Sequence, residues 1–90
     1  MTITTSKQLA EALGPKWAGH QTRPFLPEAL CLDSQATVLS GTTGGRQVFW
    51  ARMETVTSAS SGIPRAAVLA LADKLEAEAR ALRESVREGP

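Results

Sequence analysis

The chain has no tyrosine, a single histidine, a single cysteine and no surplus of either charge. Each shortage removes a class of chemistry. Without a second cysteine there is no internal disulfide, and one His with one Cys is a poor start for a zinc site, so no metal or cofactor is expected. Ten Lys and Arg against nine Asp and Glu give a formal charge of +1. Residues 1–60 hold five bases and four acids, and residues 61–90 hold five of each. Neither part carries the excess that would draw it to phosphate backbones without a specific site, so nucleic-acid binding is disfavoured. No run of about 18 apolar residues occurs, and the N-terminus, MTITTSKQLAEALG, lacks a basic stretch followed by an apolar one. A cytoplasmic protein with no membrane role is therefore expected.

What is present is a 90-residue chain, 42% hydrophobic, in which 14 of the apolar residues are alanine. Such a chain makes one domain with a thin core, for which a partner or second copy would cover remaining apolar surface. The first element is a helix over Ser6 to Leu13. Thr5 caps it, Gln8 closes the reciprocal box, and Gly14 with Pro15 ends it. Residues 15–34, which include PKWAGHQTRPFLPEALCLD, read as an ordered apolar loop because Pro15, Pro24 and Pro27 exclude a long regular element. Trp17, Phe25, Leu26, Leu30 and Leu32 would lay it over the core as a flap, with Pro27-Glu28 opening a single helical turn.

Residues 35–40 (QATVLS) and 46–57 (RQVFWARMETVT) are the strand candidates, joined through GTTGG. On the second, Phe49, Ala51, Met53 and Thr55 form the more buried face, and Val48, Trp50, Arg52, Glu54 and Val56 form the other. SASSG is a flexible connector into a helix over 63–88. There Val68, Leu71, Leu75, Ala79, Leu82 and Val86 make one stripe, and the helix, about 36 Å long at about 1.5 Å per residue, outruns a hairpin. The expected fold is α+β: short N-terminal helix, apolar loop, a two- to three-stranded antiparallel hairpin or sheet, and a long C-terminal amphipathic helix packed on it. The third strand, if formed, would lie near Leu30 to Leu32.

No motif carries catalysis. Gly44-Gly45 is followed by Arg46 and a strand, whereas a phosphate-binding loop needs a lysine and a helix N-terminus, so these glycines read as a turn. Cys31 with His20 is formally a dyad, yet Cys31 stands in an apolar LCL run that favours a buried thiol. Glu28 would have to meet Asp33 or Glu54 in a cleft to act as an acid-base pair. The candidate partner-binding residues are Trp50, Trp17, Arg52 and Arg46, because indole and guanidinium groups dominate binding energies. Leu75, Leu82 and Val86 are the candidate dimer contacts.

TSKQLAEALG resembles the opening helix of winged-helix and excisionase-type DNA-binding proteins, and GGRQVFW resembles their glycine-tipped wing. The resemblance implies a DNA-binding regulator that dimerises through its C-terminal helix, with Lys7, Lys16, Arg23 and Arg46 on DNA. The sequence departs where those families place a recognition helix, since PKWAGHQTRPFLPEALCLD is broken by prolines. A second likeness runs from Trp17-Ala18-Gly19-His20 through a hairpin to AVLALADKLEAEARAL, an order similar to that of small actinobacterial and actinophage proteins of unknown function. Those often have a cysteine after the tryptophan, where this chain has Ala18, so any metal or redox role of that cysteine is absent. The residues themselves point to a non-enzymatic interaction or regulatory protein, acting through a protein partner or as a homodimer.

Overall fold

The computed structural model describes residues 2–23, 26–54 and 56–87, without the side chains of 86 and 87. Helix α1 spans Ser6–Leu13, with the Thr5 hydroxyl accepting from the Gln8 amide and the Gln8 side chain accepting from the Thr5 amide. Gly14, at φ 133°, donates its N–H to Ala10 and ends it. Five strands follow as an antiparallel meander in sequence order: β1 (Trp17–His20), β2 (Glu28–Cys31), β3 (Thr37–Thr43), β4 (Arg46–Met53) and β5 (Val56–Thr57). Helix α2, Pro64–Arg87, closes the chain.

The expected α+β order holds, but the sheet has five strands rather than two or three. The segment expected to be a loop is itself a hairpin, with Trp17 opposite Cys31 and His20 opposite Glu28. The prolines bracket these four-residue strands instead of preventing them: β1 lies between Pro15 and Pro24, and Glu28 opens β2 directly after Pro27, where a helical turn was expected. Trp17 and Leu30 thus belong to the sheet and do not form a flap. Leu32 is 59% exposed, and Phe25 lies outside the described residues.

The β3–β4 turn falls on Gly44 and Gly45 as read, at φ 57° and 76°, the pair of left-handed angles a two-residue turn of this twist requires. Strand β3, however, runs Thr37–Thr43 rather than 35–40, so Gly41, Thr42 and Thr43 pair with β4 instead of forming the connection. At the other end the second strand stops early. Glu54 adopts φ 56° and the chain folds back, so that Val56 pairs with Met53 and Thr57 with Arg52. Val56 therefore shares the face of Met53 and packs against the core, not beside Trp50. Thr55 lies outside the described residues.

Both helices cover one face of the sheet. Leu9 and Ala10 of α1 and Ala67 and Leu71 of α2 meet Ala29, Cys31, Val38, Phe49 and Ala51 in one cluster. Gly19 permits the close approach of α1, because a Cβ there would stand 3.2 Å from the Ser6 carbonyl carbon and 3.3 Å from the Lys7 nitrogen. The SASSG connector is more ordered than its composition suggests. Ser61 exchanges two backbone hydrogen bonds with Phe49, and buried Ser58 accepts the Ala51 N–H through its hydroxyl at 2.9 Å while donating to Ala59. Ser58→Ala leaves that buried amide without its acceptor. It should cost about 1–3 kcal/mol and speed hydrogen exchange at Ala51 more than at the neighbouring amide of Phe49.

Candidate functional site

Strand alternation sends Ala18, Glu28, Leu30, Leu39, Val48, Trp50 and Arg52 to the face opposite the helices. No described helix lies over it. Arg46 and Arg52 are exposed there, while Leu30, Val48 and Trp50 are half-buried. Of the charged residues on these strands, the acid Glu28 stands apart: it is 1% exposed.

Glu28 is held by the β1–β2 loop folding back on it. Thr22 donates its hydroxyl to Oε1 and Oε2, both at 2.9 Å, and Arg23 Nε donates to Oε2 at 3.1 Å. Burial alone would push the Glu28 carboxyl up. The hydrogen bonds from Arg23 and Thr22, with the charge of Arg23, outweigh it and hold the carboxyl below its ordinary value. Arg23 also donates from an Nη to the Ser40 carbonyl at 2.9 Å and lies 5.9 Å from the centre of the Trp50 ring. The six-membered ring of the indole lies close over Gly41, where a Cβ would stand 3.1 Å from it. Trp50 is thus held in place by a guanidinium and a glycine backbone.

The structure separates the remaining sequence candidates. Trp17 lies on the helix-covered face, half-buried against the core, so the two tryptophans do not share a surface. Leu75 is half-buried against the core, Leu82 is 71% exposed, and the side chain of Val86 lies outside the described residues. Lys7 is exposed on α1 and Lys16 pairs with Asp33 at 2.8 Å. Arg23 is turned onto Glu28, and Arg46 sits beside the hairpin turn. These four bases do not line one stripe, and the segment between α1 and β3, where a groove-reading helix would stand, is the β1–β2 hairpin.

His20 and Cys31 lie at opposite ends of that hairpin and on opposite faces, so they form no dyad. Cys31 is buried; a hydrogen bond from the Ser34 side chain is the main influence holding its thiol below the ordinary value. Among the described residues no three His, Cys, Asp or Glu gather as a metal site. Clefts of about 500 Å³ flank α1, and of these residue types each is lined by Glu11 alone.

Sequence reasoning placed Val48, Trp50 and Arg52 together by alternation, with Val56 wrongly among them. It missed the Thr22–Arg23–Glu28 cluster, whose only local signal is a charged pair straddling two prolines. No helix among the described residues is long and apolar enough to cross a membrane. Compared with known protein families, curated proteins and solved structures, the chain matches none.

Proposed function

We propose that this chain is a non-enzymatic binding protein whose helix-free sheet face docks a protein segment bearing acidic and apolar side chains. One observation carries the reading: Val48 and Trp50 stand between exposed Arg46 and Arg52 along β4, with Leu39 and Leu30 on the same face across β3 and β2, while the acid of that face, Glu28, is buried and paired. An apolar centre with a charged rim is the usual anatomy of a specific interface. The arginines would select acidic groups in the partner and set its orientation, and the indole would provide the buried anchor.

Peptide display against the whole chain tests this. Selected peptides should be rich in Asp or Glu interleaved with Leu or Phe, and should perturb the Trp50 indole N–H resonance. Arg46→Glu with Arg52→Glu should abolish their binding and admit charge-reversed peptides. Trp50→Ala should weaken binding by about 2 kcal/mol or more while the chain stays folded. Peptides that map to the helix side, or duplex DNA binding with a steep salt dependence, would overturn the reading.

A further inference from the structure

Helix α2 serves two environments along its length. Up to Leu75 its apolar stripe packs on the sheet, and the Lys74 ammonium donates to the Thr57 carbonyl at the sheet's last strand. Beyond Leu75 the stripe continues with no sheet beneath it. From Glu76 to Ser85 every residue except Ala79 is exposed, and the molecule measures 53 Å along its longest axis against 29 and 19 Å across. Yet the sequence keeps a core-like pattern there, with Leu75, Ala79, Leu82 and Val86 spaced four, three and four apart. That is a heptad seam, and a helix that ends in solvent has no use for one.

We infer that the projecting half of α2 pairs with the same segment of a second copy, antiparallel. The flanks of the seam specify both the partner and the direction. Glu76 follows Leu75 and Arg83 follows Leu82, so the two lie on one flank, while Glu78 and Ser85 lie on the other. In an antiparallel pair like flanks face each other. Stacking Ala79 on Leu82 of the second copy puts Glu76 beside the other copy's Arg83, and the twofold repeats the contact. The twofold then passes between Arg80 and Ala81, near the middle of the uncovered stretch, and the two sheets stand at opposite ends without overlap. Alanine in the seam lets the helices come close. A parallel pair would instead bring the two globular ends side by side and match Glu78 with Arg83. The seam is less than two full heptads long, so the association is weak and depends on concentration.

Sedimentation equilibrium of the full chain over a wide concentration range tests the pairing. The mass should rise from 9.6 kDa toward twice that value. Leu82→Glu and Arg83→Glu should each weaken dimerisation by at least about tenfold, and adding Glu76→Arg to Arg83→Glu should restore most of it. These three side chains are exposed, so the variants should unfold as the parent does at concentrations where it is monomeric. A constant mass of 9.6 kDa, or an undiminished dimer in Leu82→Glu, would overturn the inference. Rescue of Arg83→Glu by Glu78→Arg instead of Glu76→Arg would overturn the antiparallel arrangement. A Trp50→Ala chain should dimerise like the parent, so failure here leaves the sheet-face reading standing, and the reverse.

Discussion

Arg23→Ala should invert the pH dependence of stability. In the parent chain the folded-state pKa of Glu28 lies below its ordinary value. The cluster's stabilisation is therefore complete above the unfolded carboxylate pKa of about 4.3 and is lost as pH falls through the lower, folded value. Removing Arg23 takes away the guanidinium hydrogen bond and its charge. Burial at 1% exposure is then opposed mainly by the Thr22 hydroxyl. The carboxyl should rise above its unfolded value, so that protonation favours folding and stability falls as pH climbs from about 4 toward 7. At neutral pH the loss should be about 2–3 kcal/mol, below the range for a fully buried pair because the Arg23 side chain is 36% exposed. Urea unfolding at several pH values reads both effects. Adding Glu28→Gln should recover part of the neutral-pH loss by removing the buried charge. An unchanged slope in Arg23→Ala would show that Thr22 alone governs Glu28.

Phe49→Ala should be more damaging still. Phe49 is 2% exposed, the largest of the fully buried side chains, and stands in the cluster that includes Leu9, Val38, Ala67 and Leu71. Because the cluster is rich in alanine, few neighbouring side chains can reach into the space a lost ring leaves. A cost of about 3–5 kcal/mol is expected, against the roughly 5–15 kcal/mol that hold an ordinary domain together. The urea midpoint should fall steeply. Retention of the parent midpoint would place the core elsewhere.

What could be read from the sequence follows from how local each signal is. Helix α1 was legible to the residue because its cap, capping box and terminating glycine all lie within ten positions of one another. The β3–β4 turn was legible because two adjacent glycines answer to two adjacent positive φ angles. Val48, Trp50 and Arg52 could be put on one face because β4 is long enough to show alternation. The β1–β2 hairpin was not legible, since four-residue strands are too short to display a period and the prolines beside them argue for a loop. The fold-back at Glu54 was equally hidden, as a left-handed glutamate has no compositional mark. Ser58 read as linker because its role depends on which strand edge it meets. Glu28 read as the start of a helical turn for the same reason: its partners Thr22 and Arg23 reach it only through the fold-back of the β1–β2 loop.

The strand order has a consequence for how the chain reaches this state. Every strand pairs with its neighbour in sequence, so the sheet can zip from the β3–β4 hairpin outward through short loop closures, each with a small entropic penalty. Among the described residues the contact of α1 with α2 joins elements from the two ends of the chain and closes its longest loop. That contact closes the thin alanine-rich core from the side of the helices.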